Sequence, residues 1–245
     1  MARLTAAQRQ TMLASPWFSA LPAAPRDEAL DVATLRHLEE GEVIYAKDRP
    51  ADAWYGIVAG AIRLGASGPD GRQGLLTFLQ PGAWFGDTSL FDHLPRPHDA
   101  IAHCATTVLA VSAARFEGLL ERYPMLYRHF IELFCQRSRL MFLALEAWTA
   151  FSLDDRLAMH LVHLANGHGL RDGNDVAINL HLPQEQLAQL LGVTRQRISQ
   201  ILHEWERLGR VHVRYGRVVL AGTWFESQPT GHLKAVPIAS LPLAH

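Results

Sequence analysis

Leu182-Pro-Gln-Glu-Gln-Leu-Ala-Gln-Leu-Leu-Gly-Val-Thr-Arg-Gln-Arg-Ile-Ser-Gln-Ile-Leu-His-Glu-Trp-Glu-Arg-Leu-Gly209 reads as two helices joined by a tight turn. Pro183 suits the first position of a helix, where its missing N–H is not needed. Leu187, Leu190 and Leu191 give that helix an inner face. Gly192 supplies the turn, and Thr194 is placed to cap the second helix. Ile198, Ile201, Leu202, Trp205 and Leu208 recur at helical spacing, and Gly209 ends the helix as a left-handed residue would. At about 100° per residue, Gln196, Ser199, Gln200 and His203 face the other way, with Arg195 and Arg197 beside them. Two cations in a first turn oppose the helix dipole at a cost of about 0.3–1 kcal/mol each, which a polyanion would offset. Arginine matches guanine O6 and N7, glutamine matches adenine N6 and N7, and the start of a recognition helix is where bases are met.

A basic hairpin follows. Val211-His-Val-Arg214 and Arg217-Val-Val-Leu220 flank Tyr215-Gly216. Arg210, Arg214 and Arg217 are placed to hold phosphates and fix register without reading sequence. A solvated helical hairpin in an unrelated protein is the blander alternative. Turn, cap, polar face and basic wing agree with one another, and together they favour duplex DNA.

Composition localises that surface. The chain has 245 residues, 49% apolar, enough for one or two domains with buried cores. Its net charge is −1, yet Leu182–Leu220 carries six arginines against three acids, a local +3. No run of eighteen apolar residues predicts a membrane span. Met1–Ala14 has an early arginine and no apolar stretch of the signal-peptide kind. Cys104 and Cys135, both in apolar surroundings, read as reduced cytoplasmic thiols. No nucleophile elbow, P-loop, HExxH or dinucleotide fingerprint is present, so no enzyme is expected. Asp154-Asp155 reads as a helix start. His160 and His163 lie one helical turn apart with His168 nearby, but no cysteine or carboxylate stands at ligand spacing. Scattered surface histidines are the better reading, and no metal is expected.

Upstream, residues 30–111 alternate short apolar runs with turns. The runs are Val43–Tyr45, Trp54–Val58, Ala61–Leu64, Leu75–Leu79 and Thr107–Val111, and Asp70-Gly71 is a hairpin signal. Strands so short and so regularly spaced predict a sandwich or barrel. Residues 113–150 are helical and divided by Pro124. Leu126, Phe130, Leu133, Leu140, Ala144, Ala147 and Phe151 make one stripe, interrupted by Arg137. Ile131, Phe134, Met141, Leu145 and Trp148 make a second. A helix this apolar needs cover on two sides: the strand domain and, on the other side, the same helix of a second copy. The tail, 221–245, is rich in Pro, Gly, Ser and Ala.

In the order of these parts, over roughly residues 30–222, the chain resembles the CRP/FNR family of transcription regulators. Gly41-Glu42, Val58-Ala59-Gly60, Phe85-Gly86-Asp87 with Leu90, the long helix and the helix-turn-helix carry the resemblance. It implies an α+β architecture. A helical segment at 1–29 precedes a double-stranded, jelly-roll-like β-roll sensor at 30–112. Helices including a dimerisation helix follow at 113–151, then a winged helix-turn-helix at 152–222 and a tail at 223–245. It also implies a cytoplasmic bacterial homodimer on a palindromic operator, with RNA polymerase as a further partner.

The resemblance also locates an effector cassette, Gly-Glu-x-x-Leu followed by Arg-Ser/Thr-Ala. Here it reads Gly86-Asp87-Thr88-Ser89-Leu90, then Pro95-Arg96-Pro97-His98-Asp99-Ala100. Asp87 replaces the ribose-holding glutamate, His98 the phosphate-pairing arginine and Asp99 its hydroxyl neighbour. Met141 and Phe142 stand where hydroxyls would meet adenine. Losing a charge-assisted contact is worth roughly 1.5–3 kcal/mol, so each change weakens cyclic-AMP binding. Arg96, two residues away, is placed to substitute. Cyclic AMP, another ligand such as cyclic di-GMP, and no ligand at all stay open, with an effector other than cyclic AMP favoured. An iron–sulfur cluster is not expected, since no cysteine precedes Cys104, and no haem-ligand pattern matches. A nucleotide-sensing subunit that does not bind DNA is the alternative, and it has no use for Arg195, Gln196 and Gln200 in one array. Arg195 keeps the family's leading arginine, but Gln196 and Gln200 replace a glutamate and an arginine, which implies a different operator.

Overall fold

Adjacent aromatic and aliphatic residues on strands covered on both faces, such as Trp54-Tyr55 and Ile57-Val58 of one strand, build the N-terminal half. The computed structural model describes residues 4–67, 73–214 and 216–228. They fall into two units. The first comprises Thr77–Leu140 and the described residues before Ser67, and the second is built mainly on the chain after Leu140.

In the first unit, α1 (Ala6–Leu13), α2 (Pro16–Ser19) and α3 (Ala23–Val32) precede the strands. Thr5 and Gln8 form a capping box at the start of α1. Strands β1 (Thr34–Leu38), β2 (Val43–Tyr45), β3 (Ala53–Ala59), β4 (Ile62–Ser67), β5 (Gln73–Leu79) and β6 (Trp84–Phe85) follow, then α4 (Thr88–Asp92), β7 (Asp99–Ala102) and β8 (Thr106–Ser112). They form two four-stranded sheets in the orders β1-β8-β3-β6 and β2-β7-β4-β5. This is the β-roll that the resemblance implies.

Successive side chains of a strand point to opposite faces. On β3, Tyr55 and Ile57 therefore enter the core between the sheets with Phe85, Val108 and Ala110. Trp54 and Val58 enter a second core with Met12, Trp17, Phe18, Phe116 and Phe130. The indoles of Trp54 and Trp84 stack there at 3.9 Å between centroids. Gly60 has φ +86°, and a Cβ on it would lie 2.4 Å from Thr106 Oγ1, so the β3–β4 turn admits only glycine. The Asp70-Gly71 hairpin lies outside the described residues. Strands β1, β6 and β7 lie outside the apolar runs of the sequence.

Pro124 does divide the helices: α5 (Ala113–Arg122) ends before it and α6 (Leu126–Ala150) begins after it. Residues of α6 through Leu140 group with the first unit and those from Met141 with the second. Leu126, Phe130, Leu133, Leu140 and Ala147 are buried. The second stripe is not one face. Phe134 packs on Phe91 at 5.6 Å, whereas Ile131, Met141, Leu145 and Trp148 are exposed, as are Ala144 and Phe151 of the first stripe and the neighbouring Phe142. Cys135, read from sequence as lying in apolar surroundings, is exposed as well, and Cys104 is half-buried. Among the described residues no helix is long and apolar enough to cross a membrane.

The second unit continues with α7 (Leu153–His168), whose N-cap is Ser152 and whose first turn carries Asp154 and Asp155. Next come β9 (Gly169–Asp172), β10 (Asp175–Ile178), α8 (Gln184–Leu191), α9 (Arg195–Arg207), β11 (Val211–Arg214), β12 (Arg217–Leu220) and α10 (Gly222–Ser227). The strands form one sheet in the order β11-β12-β10-β9. The β9–β10 hairpin carried a legible signal, Asp172-Gly173, and Gly173 takes φ +61°. The histidines are not all on the surface. His103 is buried against Phe78. Burial, then His163 and Arg156, push the His160 imidazole down to about 4.

Candidate nucleic-acid interface and sensor cassette

The two helices of the quoted stretch are α8 and α9. Pro183 stands one position earlier than expected, at the N-cap of α8. Gly192 takes φ +64° and Gly209 φ +66°, the left-handed conformations their roles require. Thr194 Oγ1 accepts the Arg197 backbone N–H at 3.3 Å, closing the cap of α9. Ile198, Ile201, Leu202 and Trp205 are buried, which turns Arg195, Gln196, Arg197, Gln200 and His203 outward, with Ser199 half-buried. The structure thus places Thr194 and these six residues together along the first two turns and one flank of α9. Arg197 Nη1 donates to Gln200 Oε1 at 3.3 Å.

The wing is tied to this helix. Glu206 Oε1 accepts the Val213 N–H at 2.9 Å, and α10, after the wing, packs back on α9 with the rings of Trp205 and Trp224 5.3 Å apart. Arg214 and Arg217 are exposed and stand directly opposite each other across β11 and β12. Like charges at opposed positions destabilise a hairpin. Among the described residues no carboxylate pairs with Arg195, Arg197, Arg214 or Arg217, so a bound polyanion would relieve the repulsion. Tyr215 lies outside the described residues, and its neighbour Gly216 takes φ +73°.

The cassette is built differently from the expectation. Arg96 is 1% exposed and points into the protein. It donates to Gly86 O at 2.6 Å, Ala53 O at 2.7 Å and Asp52 Oδ1 at 2.9 Å. Its guanidinium also lies 4.2 Å from the centroid of the Tyr45 ring. Both terminal nitrogens are engaged, and substitution for a phosphate-pairing arginine is not what this geometry offers. Burial raises the Asp52 carboxyl, but hydrogen bonds from Tyr55 and Arg96 outweigh it, and the net shift is downward. Asp99 is also engaged, accepting the Lys47 N–H at 2.7 Å. His98 stacks on Tyr45 at 6.0 Å; burial lowers its pKa, so the imidazole is neutral at physiological pH. Thr88 is exposed, while buried Ser89 donates to Pro95 O at 3.4 Å. Met141 and Phe142 group with the second unit and are exposed.

Asp87 is fully buried. Arg137 Nη1 donates to its Oδ2 at 2.6 Å and Arg137 Nη2 to Trp84 O at 2.9 Å. Among the described residues Asp87 Oδ1 has no hydrogen-bond partner. Sequence reasoning saw Arg137 only as an interruption of an apolar stripe. That interruption was the signal, because a charge on a buried face needs a counter-charge.

Residues 35–123 match the family model of the cyclic nucleotide-binding domain, and residues 155–221 match the Crp-like helix-turn-helix domain. A CRP-like cAMP-activated global transcriptional regulator of Mycobacterium tuberculosis is 30% identical over 74% of this chain and 80% of its own length. The cyclic AMP receptor protein of Thermus thermophilus is 28% identical over 84% of this chain and 93% of its own. Among solved structures, FixK2 from Bradyrhizobium japonicum has a TM-score of 0.68 at 23% identity, covering 80% of this chain and 96% of that one. The c-di-GMP-responsive regulator CLP from Xanthomonas campestris has a TM-score of 0.66 at 20% identity, covering 82% and 100%.

Proposed function

The chain belongs to the CRP/FNR family of transcription regulators, and from that premise we propose that it reads a palindromic duplex operator as a homodimer. The reading rests on one observation: α9 turns Arg195, Gln196, Arg197 and Gln200 outward beside a wing whose Arg214 and Arg217 stand opposite each other with no carboxylate partner among the described residues. Arg195, Gln196, Ser199, Gln200 and His203 meet base edges, and Thr194 and Arg197 bind the DNA at the helix start. Arg214 and Arg217 hold phosphates. RNA polymerase is the further partner, in the cytoplasm.

DNA selected from a random pool by the wild-type protein supplies the test. Arg195→Ala is expected to weaken binding to the selected site by about 1–3 kcal/mol and to relax preference at one base pair. An unchanged gel-shift titration would remove its assigned role. Arg214→Ala is expected to weaken binding to all sequences alike and lower the salt slope by about one. A loss confined to the selected site would contradict a phosphate contact.

We assign the effector site to the cassette of the first unit, Gly86, Asp87, Thr88, Ser89, His98 and Asp99, with Arg96 bracing it from within. The effector is a small molecule other than cyclic AMP. Three features favour this: Arg96 is engaged internally, His98 is neutral, and Asp99 adds an anion where the family binds phosphate.

A further inference from the structure

The geometry points to Trp148 as the residue that sets the position of the helix-turn-helix, by clamping the end of α6 onto the Gly192 turn. The inference rests on the homodimeric, palindrome-reading function proposed above and adds a positioning role to it.

Two contacts carry it, both within the second unit. A Cβ built on Gly192 would lie 2.9 Å from Trp148 Cη2, so the indole edge packs on the bare Cα of the turn between α8 and α9. Gly192 is therefore required twice, for its positive φ and for this approach. The Arg156 guanidinium of α7 lies 4.4 Å from the Trp148 ring centroid. Among the described residues Arg156 Nε and Nη1 are buried with no hydrogen-bond partner, and the half-exposed indole lies over this cation. One side chain near the end of a 25-residue helix thus gathers α7 and the reading turn.

A rigid turn transmits the direction of α6 to α9, which begins three residues after Gly192. A pair of reading heads so held accepts half-sites at one spacing and rejects others. Without the clamp, each head still folds and still reads a half-site, but their separation and phase are no longer fixed, and the advantage of joint binding falls.

The test uses full-length protein and the palindrome selected by the wild type. Affinity is measured by fluorescence anisotropy at fixed salt on that palindrome, on a single half-site, and on palindromes lengthened or shortened by one or two base pairs. Thermal unfolding is followed in parallel. Trp148→Ala is expected to lose about tenfold or more on the palindrome and less than about threefold on the half-site, with its spacing preference flattened. Trp148→Phe is expected to restore the preference. Retention of both affinity and spacing preference by Trp148→Ala would overturn the role. An equal loss on palindrome and half-site would overturn it too, since that marks a fold or contact defect. If Trp148→Ala does not fold, Trp148→Leu carries the same comparison. A wild-type protein indifferent to spacing would instead refute palindromic reading itself, and the positioning role with it.

Discussion

Arg137→Ala is expected to destabilise the protein by about 3–5 kcal/mol, because it strands a buried carboxylate. Asp87 is fully buried and its Oδ2 accepts from Arg137 Nη1 at 2.6 Å. Its Oδ1 already lacks a hydrogen-bond partner among the described residues, so removing the guanidinium leaves a buried anion with no cation bonded to it. The Trp84 carbonyl loses its donor as well. Arg137 keeps 17% of its side chain exposed, so water entering the gap sets the result toward the lower bound. The size of this loss does not mean that the pair is worth as much. Replacing both charges by neutral groups of similar volume is often close to neutral. The double variant Asp87→Asn, Arg137→Met is therefore expected to recover most of the stability. Urea titrations with a common m-value measure both. A loss below about 0.5 kcal/mol for Arg137→Ala would show that the ion pair does not hold the cassette to α6.

The helix-turn-helix was legible because its determinants are local. Thr194, Gly192 and Gly209 each act within a few residues, and the apolar face of α9 has one period. Strands β3 and β8 were legible as β-rich apolar runs buried on both faces. Strand β7, Asp99-Ala100-Ile101-Ala102, is small and partly polar, and β6 has two residues; both owe their pairing to neighbours rather than to propensity. The cassette was misread for the same reason. Arg96 reaches carbonyls of Gly86 and Ala53 and the carboxylate of Asp52, the last 44 residues away, and no local pattern announces partners so distant. Arg137 and Trp148 both stood in apolar stripes. One turned out to be an ion-pair partner and the other a clamp, because an apolar stripe states that a face is covered and not by what.

What covers the exposed face of α6 is decided by a second large effect. Ile131, Cys135, Ser138, Phe142 and Leu145 recur at steps of four and three, the spacing of a coiled-coil seam, and all five are exposed. Ile131, Phe142 and Leu145 are 60%, 71% and 62% exposed, large apolar side chains that a solitary protomer would leave in water. Leu145→Glu puts a charge on that face without touching the core of its own chain. It is expected to yield a folded monomer by light scattering at micromolar concentration. Affinity for the palindrome is expected to fall by about a hundredfold or more as joint binding of two half-sites is lost. The direction of pairing is separable from its existence. In a parallel seam Cys135 faces its own copy at a distance a disulfide can span; in an antiparallel one it meets a different residue. Mild oxidation should therefore join two chains, and Cys135→Ser, but not Cys104→Ser, should abolish the link. A wild-type monomer, or a Leu145→Glu dimer, would refute the seam. A dimer that oxidation cannot join would keep the seam and refute its parallel register.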